Sequence, residues 1–248
     1  MEKKKMKIRR FLSVFLLTLL LTGLFCVPQA SAVDLPQVNA KAALLMDYES
    51  GRTLYGLNER DTEYPASITK VMTALLTLEA VDQGVLTLDQ QVTAPSLVND
   101  MDPTGSSADI KEGEVLTVEQ LLYCMLVISA NETCNILGET LCGSVDAFVE
   151  RMNARAQELG MNDTHFVNCT GLPAAGHLTS ACDIALMSRE LILRHPDIRQ
   201  FTTVWMDSLR GGESMLVNTN KLIRFYDGAT GLKTGSTGSA GYCLRAGG

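Results

Sequence analysis

The sequence predicts an α+β fold, in which strand-forming segments at the two ends of the mature chain enclose a mainly helical middle. Three observations predict it. Two apolar, partly alternating segments, 42–48 and 53–57, flank the turn Glu49-Ser50-Gly51-Arg52. Apolar residues at helical spacing dominate from about residue 67 to about residue 200. Glycine-flanked segments without helical period then return, at Thr230–Ser236 and again from Gly241 to Leu244.

Residues 1–32 read as an export leader and not as part of the fold. Lys3, Lys4, Lys5, Lys7, Arg9 and Arg10 form a basic start, and an uncharged apolar run spans 11–27. Ala30-Ser31-Ala32 then supplies an A-x-A cleavage signal. The run holds Ser13, Thr18, Thr22 and Gly23 and is short for a membrane span, which favours cleavage over an anchor. Bulky Phe25 ahead of Cys26 argues against a lipid-modified cysteine. The whole chain carries −7, and the leader holds six basic groups against Glu2, so the mature part carries −12. An acidic exported chain is a poor binder of nucleic acid or of anionic surfaces. The 216 residues from 33 to 248 suffice for one sizeable domain with a real core, with room for two lobes.

Taken in order, the first element is the hairpin just described. Pro65 biases Tyr64 toward extended backbone, so a helix is expected to begin close to Ser67 and to run through Val71, Met72, Ala74, Leu75, Leu76 and Leu78. Thr117-Val118-Glu119-Gln120 reads as a capping box for a helix apolar on nearly every side. That helix halts at Ser129-Ala130-Asn131 before a second stretch, 132–141. Ser144 is expected to cap a helix ending at Gly160, and Ser180 to Asp183 reads as another capping box, for a helix reaching Pro196. Of the six mature cysteines, most lie in apolar helical runs, which favours buried thiols over disulfides. No Cys/His spacing suits a metal, and no cofactor is implied.

Three short motifs carry chemistry: Ser67-x-x-Lys70, Ser129-x-Asn131 and Lys233-Thr234-Gly235. With fifteen serines and nine lysines, the first alone is expected by chance about half a time, but all three together only on the order of one time in fifty. A serine and a lysine one turn apart share a helix face, which suits a nucleophile and its base. The competing reading makes Ser67 and Ser129 helix caps, Lys70 a solvated residue and the third motif a turn. An ammonium with an ordinary pKa is no base; burial or a second positive charge is needed to favour the amine.

The trio resembles the signature of penicillin-binding proteins and class A β-lactamases, in which aspartate is the central residue of the second motif. The chain resembles the D-alanyl-D-alanine carboxypeptidases of peptidase family S11, the low-molecular-weight penicillin-binding proteins. The likeness extends to Tyr64–Thr73, to Glu112-Gly113-Glu114 with 117–122, and to Asn168, Gly171-Leu172, His177, Thr179 and Asp183. The resemblance implies a β-lactamase/transpeptidase-like fold, an antiparallel sheet packed with a mainly helical lobe. It implies Ser67 as nucleophile, Lys70 as base and Ser129 as proton relay toward the leaving group. It implies Lys233 close to Lys70, and Asn131, Lys233, Thr234, Gly235 and Ser236 as substrate-binding residues, with the N–H groups of Ser67 and Ser236 as the oxyanion hole. Asp47, Asn168, His177 and Asp183 are left as structural.

The implied substrate is the peptidoglycan pentapeptide, with β-lactams as acylating inhibitors, at the outer face of the membrane or in the wall. Ala130 stands where the family usually has glycine. The family's later strands, its further basic residue, its final helix and its membrane-associating parts are expected beyond residue 248, Arg245 being too early to serve as that basic residue. The rivals are a class A-like β-lactamase, for which no E-x-x-x-N stretch stands between Asp163 and Lys233, and a non-catalytic binder of muropeptide or penicillin.

Overall fold

The first hairpin forms where apolar alternation and turn chemistry agree. Strand β1 (Ala43–Met46) pairs antiparallel with β2 (Thr53–Leu57), Ala43 opposite Leu57. Between them the Asp47 carboxylate accepts from the Ser50 N–H (2.9 Å) and hydroxyl, while Gly51 takes the positive φ of 73° that closes the turn. The computed structural model describes residues 3–7, 11 and 37–247, and residues 39–248 form one unit. Apart from 3–7 and 11, the expected leader with its cleavage signal and Cys26 lies outside the described residues.

Helix α1 (Lys70–Asp82) is buried at ten of its thirteen positions, so it is the axis of the core. Helix α2 (Val118–Val127) packs beside it, and its expected capping box is present: the Gln120 N–H donates to Thr117 Oγ1 (3.1 Å) and the Thr117 N–H to Gln120 Oε1 (2.9 Å). Helix α3 (Glu132–Cys142) ends at Gly143, φ 79°, and α4 (Val145–Glu158) starts on the Ser144 hydroxyl. Helix α5 (Ala181–Arg194) departs from expectation. Ser180 accepts from the Asp183 N–H, but the Asp183 carboxylate does not fold back to complete a box. Its Oδ2 instead accepts from the Asp163 N–H (2.8 Å) and Thr164 Oγ1 (2.7 Å), two donors that a distant segment brings to the carboxylate, while Oδ1 has no partner among the described residues.

The strands form four antiparallel pairs among the described residues: β1–β2, β3 (Gln91–Thr93) with β4 (Val115–Thr117), β5 (Met206–Leu209) with β6 (Ser214–Val217), and β7 (Gly231–Thr237) with β8 (Gly241–Gly247). The expected antiparallel sheet is therefore present as separate hairpins. Ladder bonds need strands about 4.8 Å apart, and each hairpin bonds only within itself. Two short strand pairs, β3–β4 and β5–β6, have runs of three and four residues, too brief for periodicity to reveal. None of the six described cysteines is paired, and Cys124, Cys134 and Cys169 are buried.

Candidate active site

Ser67 lies not in the first α-turn but in a 3₁₀ turn, Ala66–Thr69, that leads into α1. The difference sharpens the geometry, because side chains three apart eclipse in a 3₁₀ turn. Lys70 Nζ is 3.1 Å from Ser67 Oγ. Ala66 holds a positive φ of 47°, a strained backbone just before the serine. Neighbours hold it: Thr69 Oγ1 donates to the Ala66 carbonyl (2.8 Å), and His177 meets Thr69 Oγ1 at 2.9 Å. The Val167 N–H donates to His177 Nδ1 (2.9 Å), so the ring's proton sits on Nε2 and goes to Thr69. Burial pulls His177 down to about 4, in keeping with that neutral tautomer.

Lys70 has no exposed surface. Its Nζ donates to Asn131 Oδ1 (2.7 Å) and to the Thr170 carbonyl (2.5 Å) as well as facing Ser67. This environment suits both protonation states. An ammonium places its three protons on three acceptors, while a neutral amine places two on Asn131 and Thr170 and turns its lone pair to the Ser67 hydroxyl. Burial drives the Lys70 pKa down. The Cys134 thiol is pushed up to about 11 and Cys169 well above its ordinary range, both by burial, so neither offers a negative counter-charge at neutral pH. Glu132 is the anion that opposes the shift.

Lys233, on β7, is also buried, and its Nζ donates to the Thr234 carbonyl (2.9 Å). Burial first, then the charge of Lys70, pulls it down to about 7. The sequence led us to expect burial and the nearby charge of Lys233 together to lower Lys70. In the structure burial leads for both lysines, and their repulsion weighs visibly on Lys233.

Asn131 and Ser129 occupy the break between α2 and α3, where Ser129 takes a φ of 68°. Such a conformation costs a non-glycine residue about 1–3 kcal/mol, so the neighbouring packing must hold it. The Ser129 hydroxyl is buried and has no hydrogen-bond partner among the described residues; it lines the same cavity as Ser67. Ser67, Lys70 and Asn131 are thus joined by hydrogen bonds, while Ser129 stands beside them unbonded.

On β7, Thr234 Oγ1 meets Thr219 Oγ1 at 2.6 Å. Gly235 brings the strand against the turn that holds Ser67: a Cβ there would lie 2.8 Å from the Ser67 nitrogen and 3.0 Å from Ala66 Cβ. Ser236 follows and lines both cavities that meet at Ser67. Arg245 pairs in register with Lys233, yet its guanidinium contacts the Ala246 carbonyl of its own strand.

Some contacts at the site escaped sequence reasoning, although Asn168 and Gly171 were among the residues that carry the family likeness. Thr170 reaches Lys70 through its backbone carbonyl, which no side-chain motif encodes. Asn168 shapes that loop, its Oδ1 accepting from the Thr170 and Gly171 N–H groups (3.2 and 2.7 Å). Gly171, φ 88°, has room for no side chain, since a Cβ would lie 1.9 Å from the Ala66 carbonyl oxygen. Glu132, buried, accepts from the Ala108 N–H (2.6 Å) and Ser107 Oγ (2.8 Å), and the Asn131 N–H donates to the Ser106 carbonyl (2.8 Å). These bonds tie segment 105–108 across the cleft. An Asn-Glu pair at a helix start was the available signal.

Comparison with known proteins now bears on this geometry. A family model for the S11 peptidases, described as D-alanyl-D-alanine carboxypeptidase, matches residues 29–247. The chain belongs to this family. It is 41% identical over 210 residues to D-alanyl-D-alanine carboxypeptidase DacF of Bacillus subtilis, a match covering 84% of this chain and 53% of DacF. With DacB2 of Mycobacterium tuberculosis it shares 33% identity, covering 86% of this chain and 72% of that protein. The chain spans about half the length of DacF and of the Escherichia coli relative DacD. Among solved structures, penicillin binding protein 5 from Haemophilus influenzae superposes with a TM-score of 0.82 at 31% identity, over 87% of this chain and 62% of that one. Penicillin-Binding Protein D2 from Listeria monocytogenes, in its ampicillin-bound form, gives 0.75 at 33% identity and 86% of both chains. The β-lactamase/transpeptidase-like fold of the S11 family is therefore the fold of this chain.

Proposed function

We propose that this chain carries the catalytic site of a serine-type D-Ala-D-Ala carboxypeptidase, which removes the terminal D-alanine of peptidoglycan stem peptides through an acyl-enzyme on Ser67. The observation that carries this reading is the solvent-free Lys70 amine, 3.1 Å from Ser67 Oγ and fixed by two further acceptors. Neutral Lys70 takes the Ser67 proton as Oγ attacks the carbonyl carbon of the penultimate D-alanine. The N–H groups of Ser67 and Ser236 receive the oxyanion. On collapse the C–N bond breaks and the departing D-alanine nitrogen takes a proton by way of Ser129, while Lys233 and the Thr234 hydroxyl hold its carboxylate. Water then attacks the ester, releasing the shortened peptide and returning the proton to Ser67. Asn131 anchors Lys70 through Oδ1 and offers Nδ2 to the substrate, and Gly235 leaves room for the peptide along β7.

β-Lactams acylate the same serine in this reading, which the ampicillin-bound form of the Listeria protein supports. The basic start, apolar run and A-x-A signal support export, with residues 1–32 as signal peptide, 33–248 as catalytic domain and the cell wall as workplace. The test uses labelled penicillin and a D-Ala-D-Ala peptide. An adduct mapping to Ser67, and loss of both adduct and D-alanine release in Ser67→Ala, are expected. D-Alanine release by Ser67→Ala at the native rate refutes the assignment.

A further inference from the structure

Lys70, Lys233 and Glu132 are each no more than 2% exposed, and Lys70 lies within electrostatic reach of the other two. A buried charge is tolerated only where an opposite charge or hydrogen bonds compensate it. Glu132 is placed to be that opposite charge. It opens α3 directly after Asn131, whose Oδ1 holds Lys70 Nζ. Its Oε1 accepts from the Ala108 N–H (2.6 Å) and Ser107 Oγ (2.8 Å), while Oε2 is buried without a hydrogen-bond partner among the described residues. The wall that Glu132 grips is braced from outside as well, because Arg210 donates to the Ala108 carbonyl (3.1 Å) and pairs with Glu114 (2.7 Å). No second buried anion faces the lysines among the described residues. Cys124 on α2, Cys134 on α3 and Cys169 in the loop before Thr170 are thiols that burial keeps protonated. Glu114, Arg210 and Asp207 bear on Cys124 and on neither lysine. His177 is neutral and lies beyond Thr69, and Asp102 and Lys221 are exposed, one in each of the two cavities that meet at Ser67.

We infer that Glu132 is a positioning residue that sets the proton count of the lysine pair, its one negative charge retaining one proton between Lys70 and Lys233. The inference rests on the carboxypeptidase reading above for what the two lysines do. One buried anion compensates one buried ammonium. With two protons the pair carries an uncompensated charge beside Ser67 and offers no base. With none it offers no cation to the substrate carboxylate. With one, a base and a cation coexist, which is the state that acylation needs. The lysines then titrate as a pair: loss of the first proton sets the acid limb of the acylation profile, and loss of the second sets the basic limb. The Glu132 charge raises both limbs, and repulsion between the lysines keeps them apart.

Stopped-flow acylation of Ser67 by a labelled penicillin, followed across about pH 5–11, reads both limbs. Glu132→Gln keeps an oxygen for the Ala108 N–H and removes the charge. Both limbs are expected to move down by about one unit, the low end for a buried opposite charge, so on the acid limb this variant acylates about tenfold faster than the wild type. Glu132→Asp keeps the charge but draws it back from Ala108; its limbs stay in place and only the height of the profile falls. Unmoved limbs in Glu132→Gln that melts as a folded protein overturn the inference at any height of the profile, because Glu132 then only holds the wall. A measurement on the wild type decides the matter if Glu132→Gln does not fold. NMR with ¹³C at lysine Cε is expected to show the two buried lysines sharing one proton at neutral pH; both charged, or both neutral, overturns the inference. Penicillin labelling and D-alanine release by the wild type test the carboxypeptidase reading separately. Absence of both refutes that reading, while the NMR proton count still decides the role of Glu132.

Discussion

Changing Asn131 to Asp tests whether Lys70 is the base, because it replaces an amide oxygen by a carboxylate oxygen with almost no change in shape. Asn131 Oδ1 lies 2.7 Å from Lys70 Nζ. A carboxylate there favours the ammonium, so the Lys70 pKa rises. An opposite charge at this range moves a pKa by about 1–3 units, or roughly 1.4–4 kcal/mol between protonation states. At neutral pH the neutral fraction of Lys70, and with it the rate constant for acylation of Ser67, falls about 10- to 1000-fold. The loss has a characteristic pH dependence: the acid limb of the acylation profile moves to higher pH, and the variant regains about tenfold per pH unit until the amine is again neutral. Stopped-flow acylation by a labelled penicillin between pH 6 and pH 10 reads this directly, with mass spectrometry confirming the adduct. A variant that acylates with the native profile refutes Lys70 as the base. A uniform loss at every pH points instead to Asn131 acting only as a substrate contact.

Two further changes probe the supports of the site. Gly235→Ala places a Cβ 2.8 Å from the Ser67 nitrogen, which must push β7 away from the turn and open the oxyanion hole proposed between Ser67 and Ser236. Acylation is expected to fall by about 10²–10³, with circular dichroism unchanged; an acylation rate within threefold of native shows that the close approach is not needed. His177 bears on stability. Its folded pKa, about 4, lies below the ordinary value of 6.5, so the unfolded chain binds the proton first as pH falls. The stability tied to neutral His177 is whole above about pH 6.5 and is lost progressively toward pH 4, by roughly 3 kcal/mol. Thermal melts of the wild type should fall more steeply across this window than those of His177→Asn, and parallel curves exclude the imidazole as the cause.

The parts of the fold that were legible in the sequence are those fixed by local chemistry. The Thr117–Gln120 capping box, the Ser144 cap, the Gly160 helix end and the Asp47–Gly51 turn each depend on a few neighbouring residues, and each is built from the residues that chemistry needs. Asp183 shows the limit of this logic. Its spacing from Ser180 spells a capping box, yet two donors from 163–164, distant in sequence, claim the carboxylate. The short strands β3–β6 were equally hidden, since runs of three or four residues form only because a partner lies alongside.

The same division runs through the site. The sequence by itself determined the chemical inventory: a serine and a lysine one turn apart, the interrupted buried helix at Ser129-Ala130-Asn131, and the glycine-flanked strand with Lys233-Thr234-Gly235. Side-chain type and short spacing specify these, and they were enough to indicate the S11 family. Only the tertiary structure decided the protonation logic. It removed Lys70 and Lys233 from water, placed the Thr170 carbonyl on Lys70, laid Gly171 against Ala66 and Gly235 against Ser67, and hung Asp102 over one half of the cleft. The physical reason is that desolvation and backbone approach depend on what other parts of the chain surround a residue. No local pattern records them: Lys70 and Thr170 are a hundred residues apart and meet at 2.5 Å.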